Sequence, residues 1–133
     1  MITRDLIQHQ ALKEALQFKR CGLQLATGAG KTKIGLDYIN VLPDHLKVLV
    51  AAPKVDIFKS WTADAVKFEV EELLERITFT TYLSLIKHNP EEYDILILDE
   101  AHSLKATALP FLQGYKGRIL GLTGTPPKYL TSE

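Results

Sequence analysis

Residues 26–32 read ATGAGKT, with two glycines, a lysine and two threonines in one short stretch. Gly28 and Gly30 free the backbone for conformations that a side chain would forbid. Successive N–H groups of Thr27, Gly28, Ala29 and Gly30 can then point at one anion, helped by the N-terminus of a following helix. Lys31 supplies a compact positive charge for phosphate oxygens, and Thr32 offers a hydroxyl to Mg²⁺. The strict phosphate-loop pattern asks for a glycine where this chain has Leu25, so the ordinary alternative is a glycine-rich turn with a surface lysine. A second segment, Asp99-Glu100-Ala101-His102, follows the apolar run 95–98. Two carboxylates at the end of a buried strand are costly unless paired or bound to metal. Asp99 suits holding Mg²⁺, through water because that ion dehydrates reluctantly. Glu100 suits orienting and deprotonating an attacking water. The alternative is a polar strand end facing solvent, and His102 by itself reads as a turn residue or a satisfied polar group. A third segment, residues 122–126, reads LTGTP. The hydroxyls of Thr123 and Thr125 could bond the acidic turn and sense a terminal phosphate. Gly and Pro punctuate turns everywhere, so this segment gains weight only from its company. All three motifs occur in this order, each directly after an apolar run.

Those motifs need a scaffold, and the chain alternates strand-like and helix-like segments. Residues 5–18 read as an amphipathic helix with Leu6, Leu12, Ala15 and Leu16 on one face. Residues 22–26 form a short apolar run, and 31–41 a helix with Ile34, Tyr38 and Val41 on one side. Residues 47–52 (KVLVAA), 77–81 (ITFTT), 94–98 (DILIL) and 118–123 (RILGLT) read as further strands. Helices are expected over 55–68, in a short piece ending at Asn89-Pro90, and over 104–114. The apolar stripe Ile57, Phe58, Trp61, Ala65 and Phe68 has helical spacing, which favours core packing over a base-stacking platform. This alternation predicts an α/β fold, a parallel sheet of about five strands with helices on both faces. Right-handed crossovers put the C-terminal strand ends on one edge, where such sheets bind ligands. The motifs fall at that edge.

The bulk numbers constrain less. The 133 residues fit one domain, at 46% hydrophobic and 24% charged. Lys plus Arg equals Asp plus Glu at 16 each, so only a local basic patch could mark a nucleic-acid partner. The single cysteine, Cys21, excludes an intramolecular disulfide and suits a reducing cytosol. It reads as a small apolar residue leading into a strand rather than a catalytic thiol. Charges within the first twenty residues argue against a signal peptide, and no apolar run reaches membrane-spanning length. The expected location is cytoplasmic.

ATGAGKT, DEAH and LTGTP resemble motifs I, II and III of superfamily 2 helicases and translocases, and the resemblance covers nearly the whole chain. VLVAAPK (48–54), with Trp61 beyond it, resembles motif Ia, and FTTYLSL (79–85) the next nucleic-acid-contacting segment. DEAHSLK and TTY lean towards Swi/Snf-type translocases. The ATGAGKT loop looks closer to the type I and III restriction-motor and repair-helicase branch, and to a phage or bacterial motor. The resemblance implies the first RecA-like lobe of such a motor, spanning residues 1–133, that binds ATP and Mg²⁺. By that likeness Gln8, Thr27 to Thr32, Asp99 and His102 hold the nucleotide, and Thr32 and Asp99 serve the metal. Lys31 and Glu100 are catalytic, and Thr123 and Thr125 couple the site to motion. Pro53, Lys54, Thr81 and Tyr82 fall where the family touches a sugar–phosphate backbone, with DNA ahead of RNA as the track. An adenine-reading glutamine is also implied. Gln8 continues into an apolar face of Ala11, Leu12, Ala15 and Leu16, whereas Gln10 continues into Lys13 and Glu14, so periodicity favours Gln8; a surface glutamine is the alternative. The family also carries a second lobe whose arginines can raise the rate about a thousandfold or more. This lobe alone is therefore expected to be monomeric, to bind Mg·ATP modestly, to hydrolyse it slowly at best and not to translocate. A small P-loop kinase would need an arginine-bearing lid, yet Arg4, Arg20, Arg76 and Arg118 are scattered. Intact Lys31, Asp99 and Glu100 argue against a non-catalytic binding module.

Overall fold

The computed structural model describes residues 4–25 and 30–124. Its elements run α1 (Arg4–Gln17), β1 (Arg20–Gln24), α2 (Lys31–Val41), β2 (Val48–Ala52), α3 (Phe58–Lys67), β3 (Ile77–Thr81), β4 (Ile95–Asp99), α4 (Leu109–Gly114) and β5 (Arg118–Thr123), joined in part by 3₁₀ turns. The strands form one sheet in the order β1-β5-β4-β2-β3, with every pairing parallel. Parallel neighbours need crossovers, and crossovers cover the sheet with helices. The residues of one strand accordingly divide between two cores. Val48 and Val50 of β2, Ile95 and Ile97 of β4, and Leu120 and Leu122 of β5 pack with Ala15, Ile34, Tyr38, Trp61 and Ala65 of α1, α2 and α3. Leu49, Ala51, Leu96 and Leu98 face the other way, against Tyr82, Leu85, Phe111 and Tyr115. β2 and β4 are buried at every position, which is why they read as unbroken apolar runs. The edge strands β1 and β3 are only partly buried.

Register places the chemistry. Gln24 pairs with Thr123, Asp99 with Leu122, and Ala52 with Thr81. The C-terminal strand ends therefore line one edge, and the three sequence motifs begin there.

Several boundaries differ from the pattern-based expectation. Leu6 is 43% exposed, so it leaves the predicted face; the buried line of α1 is Gln8, Ala11 and Ala15, with Leu12 and Leu16 half-buried. Val41 is 56% exposed at the end of α2, whose last turn buries Tyr38 and Ile39 instead. β1 begins at Arg20, because main-chain pairing to β5 extends beyond the apolar run. The region 55–68 opens with a 3₁₀ turn, 55–57, before α3. The short helix before Asn89 is a single 3₁₀ turn, 85–87. Of 104–114 only α4 is α-helical. Pro110 sits in its first turn, where its missing N–H costs nothing, and could not sit further in. Among the described residues no helix is long and apolar enough to cross a membrane.

Candidate active site

Lys31 is the first residue of α2, preceded by Gly30 at φ 77°. That left-handed angle favours glycine, and it turns the chain from the β1 edge into the helix, where the Ile34 N–H donates to the Gly30 carbonyl. The Lys31 ammonium then reaches across the end of β5 to β4. Its Nζ lies 2.6 Å from Glu100 Oε2 and 3.4 Å from Asp99 Oδ1. The lysine of the first motif and the carboxylates of the second thus share one pocket.

Asp99 is 1% exposed. Its Oδ2 accepts a 2.8 Å hydrogen bond from the indole N–H of Trp61, and its main-chain carbonyl accepts one of 2.5 Å from the Tyr82 hydroxyl. Oδ1 accepts no hydrogen bond from the described residues. A buried carboxylate oxygen with open lone pairs, beside a lysine and the half-buried to buried first turn of α2 with Thr32, has the donor chemistry for a hard cation or its water. No group of three or more His, Cys, Asp or Glu side chains able to hold a metal occurs among the described residues.

Among the described residues Glu100 is one of two non-glycine residues with positive φ, at 55°. Such angles are uncommon outside glycine and gather at functional sites. Here the angle closes the turn at the strand end, with the Ser103 N–H donating to the Glu100 carbonyl at 2.8 Å. Glu100 Oε1 lies 3.5 Å from His102 Nε2, and His102 Nδ1 is 2.6 Å from Thr123 Oγ1. Thr123, His102, Glu100 and Lys31 form a continuous polar chain, so His102 is more than a turn residue. Thr27, Gly28, Ala29 and Thr125 lie outside the described residues.

Gln8 is 5% exposed, while Gln10 is exposed. The side chain of Gln8 lies over Gly30: a Cβ there would come within 2.3 Å of Gln8 Nε2. Of the two glutamines, the structure therefore brings Gln8 to the loop. Gln8, His9, Leu12, Lys33 and Asp37 line a cavity of about 220 Å³, with Lys33 and Asp37 ion-paired at 2.8 Å. A larger cavity, about 340 Å³, is lined by Pro90, Asp94, Lys116 and neighbours. It lies before β4 and β5, at the opposite strand ends, away from the lysine–carboxylate cluster.

The residues assigned to nucleic acid separate. Pro53 is half-buried and Lys54 exposed, directly after β2; Thr81 is half-buried at the end of β3 and its Oγ1 accepts from the Ser84 N–H. Tyr82 corrects the expectation: it is 7% exposed, with its phenol turned inward onto Asp99. Burial first, then the charges of Asp99 and Glu100, hold this phenol protonated far above the usual tyrosine range, so it remains a donor. Trp61 is buried, as its helical spacing predicted, but its N–H contact with Asp99 was not legible in the sequence. The available signal was general: a buried indole N–H needs a partner. Phe58 packs on Phe79 at 4.9 Å between ring centroids, and Phe68 lies beneath the Lys33 and Lys67 ammonium groups.

Residues 2–128 match the family described as type III restriction enzyme, res subunit. The chain is 30% identical to the DNA 3'-5' translocase XPB2 of Sulfurisphaera tokodaii over 91% of its own length, and it spans 30% of that protein. Among solved structures it resembles the UvsW helicase from bacteriophage T4, with a TM-score of 0.75 at 18% identity over 93% of this chain and 53% of that one. The Sulfolobus solfataricus SWI2/SNF2 ATPase core in complex with dsDNA matches at a TM-score of 0.66 and 20% identity, over 92% of this chain and 31% of that one. The family match also favours the restriction-motor branch that the ATGAGKT loop resembles. The chain belongs to the family described as type III restriction enzyme, res subunit, and its five-stranded parallel sheet has the RecA-like fold of those helicase structures.

Proposed function

We propose that this chain is the ATP-binding lobe of a DNA-dependent motor, which hydrolyses ATP to ADP and phosphate once a second lobe completes the site. The observation that carries the reading is Lys31 Nζ within 2.6 Å of Glu100 and 3.4 Å of Asp99. One cation facing two carboxylates is the electrostatic frame for a triphosphate and its metal. Lys31 would move from the carboxylates to the phosphate oxygens, which attract it more strongly because they carry more charge. That exchange releases Glu100, whose carboxylate then accepts the proton of the attacking water. Asp99 and Thr32 would hold Mg²⁺, which would supply charge neutralisation at the phosphates. Gln8, beside Gly30, reads the adenine edge, and the amides from Thr27 to Gly30 cradle the phosphates.

His102 and Thr123, with Thr125, report the state of Glu100 to the far side of the cleft. Pro53, Lys54 and Thr81 are the track contacts, and their backbone-directed chemistry gives affinity without sequence readout. DNA as the track follows from the names of the relatives, one a DNA translocase and one a core bound to dsDNA. The chain covers under a third of that translocase, so motor activity belongs to a longer assembly working inside the cell. Isothermal titration of the 133-residue chain with Mg·ATP tests the reading. Micromolar to millimolar binding that Lys31→Ala abolishes is expected; a wild-type chain that takes up no Mg·ATP would sink it.

A further inference from the structure

Two aromatic side chains, from two different strand–loop units, end on one residue. Trp61 is carried by α3, the helix that follows Pro53 and Lys54. Its N–H donates to Asp99 Oδ2 at 2.8 Å. Tyr82 immediately follows Thr81, and its hydroxyl donates to the Asp99 carbonyl at 2.5 Å. Both segments are those assigned above to the track. Neither aromatic is surface-accessible, so neither reads nucleic acid itself.

The Trp61 ring has little freedom. A Cβ on Gly35, one turn into the helix that Lys31 begins, would lie 2.4 Å from the ring at Cη2. Phe79 of β3 packs edge-on at 6.3 Å. The ring is wedged between α2, β3 and the end of β4, so a shift of α3 must either carry Asp99 with it or break the indole bond. Because Oδ2 is taken by the indole, Oδ1 is the oxygen left beside Lys31 and free of other donors among the described residues.

We propose that Trp61 is a positioning residue of the nucleotide site, fixing the Asp99 carboxylate so that Oδ1 faces the metal, and that Trp61 and Tyr82 together tie both track-facing segments to that carboxylate. This rests on the nucleotide reading above. It gives track contact a short physical route to metal affinity through α3, with one hydrogen bond as the link.

The chain contains a single tryptophan, so one indole N–H cross-peak in a ¹⁵N-labelled sample reports this bond. It should move when Mg²⁺ and ATP are added together and hardly move with ATP and a chelator; Asp99→Asn should displace it without any ligand. If backbone amides around Lys31 respond to Mg·ATP while the indole peak stays fixed, the positioning role is overturned and the nucleotide reading stands. If no resonance responds, the nucleotide reading fails, and this inference falls with it. Calorimetry gives the second arm. A hydrogen bond to a charged group is worth roughly a factor of ten or more, so Trp61→Phe should raise the Mg²⁺ needed for half-maximal ATP binding about tenfold, leaving metal-free ATP affinity unchanged. Equal losses with and without metal would mark Trp61 as merely structural. Should Trp61→Phe not fold, Tyr82→Phe with the indole peak intact decides: a shifted peak and a higher Mg²⁺ requirement support the link, and neither changing overturns it.

Discussion

Gly35→Ala sets local and tertiary physics against each other. Gly35 lies in the middle of α2, and alanine there would favour the helix by about 0.8–1 kcal/mol on propensity alone. The tertiary structure reverses the sign. The new methyl would stand 2.4 Å from Trp61 Cη2 and 3.1 Å from Cζ3, closer than packed carbons approach. The ring cannot swing away, because it is buried against Phe79 and its N–H is tied to Asp99. Inserting a methyl into such a core costs about 1–3 kcal/mol, and a ring that cannot move puts this site at the upper end, about 2–3 kcal/mol, so the net expectation is a loss of about 1–2 kcal/mol. For a domain of this size that lowers the melting temperature by about 3–8 °C. Thermal and urea melts followed by circular dichroism measure it directly. Trp61→Phe removes the offending ring edge, so the double variant should lose less than the two single losses added together. A Gly35→Ala chain melting at or above the wild type would refute the wedge, and with it the claim that Trp61 is held rigidly against Asp99.

Other consequences test separate contacts. Gly30→Ala should abolish Mg·ATP binding and destabilise the fold by about 1–2 kcal/mol, from the positive φ alone; adding Gln8→Ala should relieve only the steric part, read by melts of the pair. Tyr82 and Tyr115 hold their protons above the ordinary tyrosine value of 10 when folded, mainly through burial. Above about pH 10 the unfolded chain releases protons that the folded chain keeps, so stability is flat below that pH and falls above it, by about 1.4 kcal/mol per pH unit per tyrosine. Urea melts between pH 8 and 11.5 should show this slope, and Tyr82→Phe should make it shallower. His102→Ala and Thr123→Ala both interrupt the chain from Glu100 to β5. In a two-lobe protein each should slow DNA-stimulated ATP turnover, and the double variant should be little worse than either, because they break one connection.

The candidate phosphate loop and the DEAH turn could be picked out directly from the amino acids, because the chemistry expected of them depends on neighbours a few positions apart. So could β3, α2 and β5, whose ends matched the expected 77–81, 31–41 and 118–123. Both fully buried strands were legible from unbroken apolar runs, although β4 takes in Asp99 instead of stopping before it. The errors fall where local pattern and packing part company: Leu6 and Val41 have the right periodicity yet stay largely exposed.

Tertiary structure alone decided the contacts that give the candidate site its character. Trp61 and Asp99 stand 38 positions apart, and Tyr82 and Asp99 17 apart. They meet because β4 lies beside β2, with β3 next in order. Strand order leaves no local signature in a sequence, since a buried parallel strand reads the same in any position of the sheet. For that reason Tyr82 looked like a surface contact and Trp61 like core filler, and only the folded sheet brings both onto the carboxylate beside Lys31.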